Sequence, residues 1–253
     1  MFLEYKGLED SFLKGVKIAA NFGFDYSNGK SKTYYNPFFG NGKALNGLIE
    51  IADERTFSYT FNQIVSWDRT FNNHHFDIMA GHELYRNEYQ YLLASKTGFP
   101  FGGLYELDAA TNIRNARSYS DEYVIESYLS RLNYDYRDKY YFSASYRRDG
   151  TSRFNKEVRW GDFWSVGASW RISQESFMQD FHWINNLTLK ASYGVQGNDN
   201  IGSLYAWQAL YSLRYANQSF PGAVVESLEN ANLKWEKNNN LNIGIESRLF
   251  DRL

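Results

Sequence analysis

From Tyr140 to Ile172 the chain reads YYFSASYRRDGTSRFNKEVRWGDFWSVGASWRI, and side chains of opposite character alternate there with a period of two. That period belongs to strands, whose successive side chains point to opposite faces. Phe142, Ala144 and Tyr146 share one face of the first arm, opposite Ser143, Ser145 and Arg147. On the return arm Val166, Ala168 and Trp170 oppose Ser165, Gly167, Ser169 and Arg171. One side is oily and aromatic, the other small, hydroxylated and basic. A sheet of this kind suits a membrane barrel, with lipid on one side and a water-filled lumen on the other.

Composition points the same way. The 253 residues include 21 Tyr, 19 Phe and 7 Trp, with 19 Gly and only 3 Pro. Aromatic residues favour strands, so sheet is the default. A formal charge of −2 argues against a dedicated nucleic-acid binder, which shows a basic stripe. With 0 Cys, disulfide frameworks, thiolate metal sites and cysteine nucleophiles drop out together. No run of apolar residues is long enough for a membrane-spanning helix, and a barrel of alternating strands lacks one too. MFLEYKGLEDSF has no basic stretch followed by an apolar core, so it is not a secretory signal, and an internal piece of a longer exported chain is expected.

Strands are predicted at Phe2 to Tyr5, Val16 to Asp25, Arg55 to Asp68 and His74 to about Leu93. Others follow at Asp121 to Tyr136, on the two central arms, at Leu187 to Val195 and from Leu241 to Leu249. Gln63 interrupts an apolar row in the third, which suggests a bulge. Ser173 is a candidate N-cap for a short helical turn containing Phe177 and Met178. The connections alternate short and long: Gly7 to Gly15, Ser27 to Asp53, Thr70 to Asn73, Ser95 to Ser120, Arg137 to Lys139, Asp149 to Trp160, Ser173 to Asn186, Gln196 to Asn238. In an up-and-down sheet alternate connections lie at one end, and outer-membrane barrels have short periplasmic turns and long outer loops. A turn into another strand is expected after Phe250-Asp251-Arg252-Leu253.

Several stretches carry a resemblance. RLNYDYRDKYYFSASYRRDGTSRF, RWGDFWSVGASWRISQESFM, LTLKASYGVQGNDNIG and NANLKWEKNNNLNIGIE resemble, in order, the barrel region of the SusC/RagA family of TonB-linked outer-membrane transporters. The likeness runs from Glu126 to Leu253. It is looser from Val16 to about Pro100, where it rests on NFGFDYSN, FDIMAGHELYRNEYQYL and ASKTGFP. It implies an all-β, antiparallel, up-and-down transmembrane β-barrel segment, about nine strands of a barrel of roughly 22. Residues 1–253 would then be a partial barrel domain without plug domain or terminal strands, an open curved sheet if alone. The resemblance further implies outer-membrane lipids around it, in a Gram-negative cell. It implies a SusD-like surface lipoprotein as lid, the TonB system acting through the missing N-terminal region, and an oligosaccharide or peptide as solute.

Within that frame the candidate solute-binding residues are Tyr205, Trp207, Tyr211, Arg214 and Tyr215, in a long connection on the outer side; the alternative is that they pack the loop or join an interfacial aromatic belt. Arg147, Arg148, Asp149 and Arg153, with Asn198 and Asn200, are read as an ion-paired and hydrogen-bonded network at the barrel mouth, against an anion site. Glu83, Glu126 and Glu246 are read as lumen-facing. His74 and His75, adjacent on a strand, point to opposite faces and do not share a metal. His82 with Glu83 lacks zinc-protease spacing, and no nucleophile elbow or phosphate loop is visible. No enzyme, metal or cofactor is expected. Two other classes remain open, a small outer-membrane pore or adhesin barrel and a soluble β-sandwich binding module. The sandwich requires Phe142, Val166, Leu189 and Ile243 to meet a second sheet.

Overall fold

The computed structural model describes residues 2–7 and 13–250, and its strands bear out the β reading. They are β1 (Phe2–Lys6), β2 (Val16–Tyr35), β3 (Leu48–Phe71), β4 (His74–Thr97), β5 (Asn112–Tyr136), β6 (Tyr140–Thr151), β7 (Trp160–Arg171), β8 (Ile184–Asn198), β9 (Leu210–Asn217), β10 (Phe220–Ser227) and β11 (Glu236–Leu249). Nine form one open antiparallel sheet in the order β1-β2-β3-β4-β5-β6-β7-β8-β11, while β9 and β10 pair only with each other. From β1 to β8 neighbours in sequence are neighbours in the sheet, and β11 follows β8 because the β9–β10 hairpin stands outside it.

Strands run further than the alternation suggests. β2 continues to Tyr35 and β3 starts at Leu48, so the loop expected from Ser27 to Asp53 contracts to 36–47. β5 starts at Asn112, which reduces the next irregular stretch to 98–111. The 196–238 connection contains the hairpin β9–β10. The added stretch SNGKSKT, residues 27–33, is polar on both faces, so the backbone ladder holds it without an apolar stripe to reveal it. Ser173 is no cap: two 3-10 turns, Ile172–Gln174 and Ser176–Met178, have Arg171 and Glu175 at their N-caps, without a side-chain cap bond. Part of the Gly7 to Gly15 turn, and the residues after Phe250, lie outside the described residues.

The chain divides into two units, and β2 to β5 pass through both. The first comprises residues 1–22, 60–84 and 124–253. Its register sets Phe142 opposite Ala168, Ala168 opposite Ala191, and Ala191 opposite Ile243. The next row on the other face sets Ser143 opposite Gly167, Gly167 opposite Ser192, and Ser192 opposite Asn242. Phe142, Val166, Leu189 and Ile243 are 43%, 40%, 38% and 72% exposed, so no second sheet covers them and the sandwich falls. Gln63 needs no bulge. Its side-chain oxygen lies 2.9 Å from His82 Nδ1, while Asn62 is bonded to Asn21 on the opposite face, so alternation continues through it.

At the tight-turn end of this unit the backbone accepts residues in the left-handed region, Asn72 at φ 52° and Arg137 and Asp138 at φ 54°. Lys139 N–H donates to Tyr136 O at 3.0 Å and closes the second turn. Rings line the apolar face there: His74 against Tyr136 at 4.7 Å, Phe76 against Tyr134 at 5.0 Å, Tyr140 stacked on Trp170 at 6.4 Å. Glu175 pins the row, accepting hydrogen bonds from the Tyr140 hydroxyl at 2.5 Å and Trp170 Nε1 at 3.1 Å, with Lys139 Nζ at 3.2 Å. Those donors, the Tyr140 hydroxyl foremost, hold its carboxyl below the ordinary value. A second set of rings stands further along the same face, with Trp164 against Tyr193 at 5.6 Å and Tyr128 against Trp160 at 6.0 Å.

The second unit comprises residues 23–59 and 85–123. Ile49, Phe99 and Ala110 are its buried cluster, with Tyr34 packed edge-on to Phe99 at 5.5 Å. Gly98 N–H donates to Leu45 O at 3.2 Å and Phe99 N–H to Asn46 O at 2.7 Å, tying its two long connections together. Lys32 Nζ reaches Glu106 at 2.5 Å and keeps that carboxyl below its ordinary value.

Candidate functional site

The polar face of the first unit has the makings of a passage lining. Its middle is a trough of about 550 Å³ edged by Asn133, Tyr141, Ser143, Gly167, Lys190 and Ser192. The small side chains follow from close packing across strands: a Cβ on Gly167 would come within 2.8 Å of Ser143 Oγ, and one on Gly194 within 2.9 Å of Ser165 Cβ. Charges on this face are paired. Lys190 binds Glu246, Asn133 donates to Asp77 at 3.2 Å, and the His75 ring lies 2.8 Å from Asp135 and 3.2 Å from Asp68.

Towards the long connections lies a second trough of about 540 Å³, which includes Arg147, Asp149, Phe163, Gln196 and Gly197. Arg147 Nε donates to Asp149 at 2.6 Å, and its Nη2 reaches Ser127 Oγ at 2.9 Å and Glu83 at 3.4 Å, so one guanidinium ties β4, β5 and β6. Arg153 Nη1 donates to Asp199 O at 3.2 Å and to Asn200 Oδ1 at 3.1 Å, and Thr151 donates to Asp199 Oδ2 at 2.8 Å. Asn198 Nδ2 donates to Glu236 at 3.1 Å while its Oδ1 accepts Asn200 N–H at 3.0 Å.

Arg148 stands apart from this set. β6 continues to Thr151, so alternation turns Arg148 to the other face, where it lies 3.9 Å from Asp162 and over the Trp160 ring at 5.6 Å. Glu126 also belongs to that face, not to the lumen-like one: it contacts His82 Nε2 at 3.3 Å and accepts the Tyr128 hydroxyl at 2.7 Å. Glu83 and Glu246 do face the troughs through Arg147 and Lys190.

The five aromatic and basic loop candidates are not gathered in one pocket. Tyr205 and Trp207 lie in the half-buried coil before β9, and the Trp207 indole N–H is buried without a hydrogen-bond partner. Tyr211, Arg214 and Tyr215 lie on β9, where a register shift between the Ser212–Val224 and Tyr215–Gly222 pairs interrupts the alternation; Tyr211 and Tyr215 are 58% and 57% exposed. The hairpin follows Asp199, which Arg153 and Thr151 hold, and precedes Trp235, which packs on Phe163 at 5.1 Å and Phe154 at 5.8 Å and donates Nε1–H to Arg159 O at 2.7 Å. Phe154 is fully buried in that cluster. The alternation places Phe163 on a polar row, so sequence reasoning missed this anchor; the glycines at 161 and 197 are its only trace.

A further set escaped the sequence reading. In the second unit Tyr85 meets Tyr123 at 6.1 Å, Tyr119 meets Tyr89 at 6.0 Å and Tyr91 at 5.2 Å, and Arg117 lies over Tyr91 at 5.5 Å. The opposite face of the same strands bears Arg86, within 2.7 Å of Glu88 and 3.1 Å of Glu122. The signal was present in YRNEYQY, where tyrosine recurs at every second or fourth position.

A sheet with an exposed apolar face, rings at both margins of that face and paired charges on the other defines a barrel-wall segment of the outer-membrane type. The chain belongs to the family described as TonB dependent receptor-like, beta-barrel, whose model matches residues 3–253. It is 30% identical to the TonB-dependent receptor SusC of Bacteroides thetaiotaomicron over 93% of this chain and 24% of that protein. A TonB-dependent receptor of Formosa agariphila is 32% identical over 94% of this chain and 23% of its own length. The structure of the RagAB peptide transporter superposes with a TM-score of 0.86 at 28% identity, covering 94% of this chain and 27% of that one. The chain thus spans about a quarter of the length of the relatives it matches.

Proposed function

We propose that residues 1–253 are a partial barrel domain of a TonB-dependent importer in the outer membrane of a Gram-negative bacterium, acting under a SusD-like surface lipoprotein. The observation that supports this most is the two-faced ladder of β5 to β8 and β11. On one side Phe142, Val166, Leu189 and Ile243 stand exposed, which is favourable in hydrocarbon and unfavourable in water. On the other, serines, glycines and paired charges offer a solute water-like hydrogen bonds. Between Tyr136 and Tyr128 the strand runs about 27 Å at ~3.4 Å per residue. The apolar band of such barrels is about 25 Å tall. An oligosaccharide or peptide is the solute class, the RagAB relative being a peptide transporter, and Tyr205, Trp207, Tyr211, Arg214 and Tyr215 are its proposed contacts on the outer side. The ion pairs of Arg147 and Arg153 then hold the mouth of the passage in shape.

The test uses the full-length protein in its own host. Deleting the gene should abolish growth on one oligosaccharide or peptide source, and a protonophore should stop uptake in the wild type because the TonB system draws on the proton gradient. Trp207→Ala and Tyr211→Ala should each weaken solute binding about tenfold, or ~1.4 kcal/mol. Uptake that survives the protonophore, or unchanged affinity in both variants, contradicts the respective part of the proposal.

A further inference from the structure

We infer that the apolar face of the first unit, at its tight-turn end, carries a binding site for the headgroup of an anionic glycerophospholipid, made by Arg69 on β3, His74 on β4 and Arg137 in the turn after β5. This rests on the outer-membrane reading above and adds to it a lipid that is recognised by its charge. Arg69 has the strand parity of Trp67 and Phe71, and the stacking of Trp67 on Phe76 at 6.4 Å puts that parity on the apolar face. The Arg69 guanidinium lies over the Phe71 ring at 4.8 Å, and that of Arg137 over the Tyr136 ring at 5.1 Å. β4 runs between β3 and β5, and its His74 ring lies 4.7 Å from Tyr136. The two turns are tied to each other, Arg137 N–H donating to Asn73 O at 2.9 Å.

Stacking occupies only the flat face of a guanidinium and leaves its in-plane N–H groups unspent. Elsewhere on the sheet a carboxylate takes them: Arg147 has Asp149 at 2.6 Å, Arg131 has Asp77 at 3.8 Å and Arg148 has Asp162 at 3.9 Å. Among the described residues no carboxylate lies within 4.0 Å of Arg69 or Arg137. Asp68 and Asp135 are engaged by the His75 ring on the lumen-like face, and Asp138, beside Arg137 in the turn, forms no ion pair with it. Lys139 shows the arrangement with its anion in place. There Glu175 meets the ammonium and also accepts from the Tyr140 hydroxyl and the Trp170 indole. At Arg69 and Arg137 the same pairing of ring and cation lacks the oxyanion.

At this level of a membrane the oxyanion is phosphate. Barrels of this type have short turns on the periplasmic side and aromatic girdles at the interfaces, so the row lies among the headgroups of the inner leaflet, which is built of phospholipid. A phosphodiester presents two oxygens to the fork of one arginine. Arg69 and Arg137 stand two strands apart, about 10 Å at the usual strand spacing, which is the span of one headgroup. His74 adds a ring nitrogen, because the Tyr134 hydroxyl, 2.8 Å away, engages only Nδ1. A zwitterionic headgroup brings its own ammonium next to the phosphate, and two arginines repel it, so the anionic headgroup is preferred. Free phosphate has the same oxygens but no acyl chains to lie along Trp67 and Phe76.

The experiment is native mass spectrometry of the full-length protein released from detergent, after mixing with equal amounts of phosphatidylglycerol and phosphatidylcholine, with and without inorganic phosphate. Wild type is compared with Arg69→Gln/Arg137→Gln, with Arg69→Lys/Arg137→Lys, and with Arg131→Gln, which removes a positive charge from the lumen-like face. Wild type should retain phosphatidylglycerol about tenfold over phosphatidylcholine. The glutamine pair should abolish that preference, Arg131→Gln should leave it unchanged, and the lysine pair, which keeps the charge and reports correct folding, should hold about threefold. Equal retention of the two lipids by wild type, or a preference that survives the glutamine pair, overturns the site. A preference lost equally in Arg131→Gln overturns it in favour of net charge. Displacement by inorganic phosphate makes the site one for the free anion and overturns the lipid. A full-length protein that dissolves without detergent and retains neither lipid brings down the outer-membrane reading as well, which every other outcome leaves standing.

Discussion

At the scale of single residues, the tightest constraint is Gly197. A Cβ there would lie 2.1 Å from Phe163 Cζ and 2.3 Å from Cε1, and the ring is also packed edge-on against Trp235 at 5.1 Å. Overpacking of this kind costs typically 1–3 kcal/mol, and we expect about 2 kcal/mol for Gly197→Ala in urea unfolding of the refolded full-length protein. Gly197→Ala combined with Phe163→Ala should lose less than the two single changes added together, because the second substitution removes the clash. Glu175 makes a different prediction. Its folded pKa lies below the unfolded value, so its contribution is present above the ordinary carboxylate range and is lost as pH falls through the folded pKa. Melting temperature should therefore drop on the acid side in wild type, and Glu175→Gln should flatten that limb while changing the neutral-pH value less.

At the scale of the strand, one face tolerates what the other forbids. Ala168 lies in the row between Phe142 and Ala191, with rings on either side along the strand, whereas Ser192 faces the trough. Arginine on the lipid side near mid-band costs about 2–4 kcal/mol. Ala168→Arg should lower the yield of refolding into lipid vesicles accordingly, and Ser192→Arg should leave it near wild type; equal losses would show that the faces have been assigned wrongly. The alternation was legible wherever the two faces meet different solvents, as at Phe142, Ala144 and Tyr146 against Ser143, Ser145 and Arg147. It vanished where both faces meet water. Ser27 to Tyr35 and Asn112 to Ser120 are strand by backbone pairing, and no periodicity in their side chains announces it. The hairpin at Leu210–Asn217 and Phe220–Ser227 was hidden for a related reason, since Pro221 and Gly222 inside it weaken strand propensity and register shifts after Gly222 and Val225 break its alternation.

At the scale of the whole molecule, the candidate site was less legible than the fold. Contacts such as Arg147 with Glu83, or Trp235 with Phe163, join residues far apart in sequence, and only the sheet order brings them together. Arg148, by contrast, is separated from Arg147 and Asp149 by strand alternation alone, which continues through all three to Thr151. The length of β3, β4 and β5, at 24, 24 and 25 residues, has its own consequence. Crossing a bilayer takes about 9–11 residues of tilted strand. The surplus of β3 and β4 has a neighbouring strand on either side, that of β5 only β4, because the β6 ladder begins at Ile125, and amides in such ladders exchange with deuterium only when the sheet opens. Slow exchange should therefore extend far past the detergent belt, and a protease added to intact cells should find no scissile backbone in that rim, only in the connections above it.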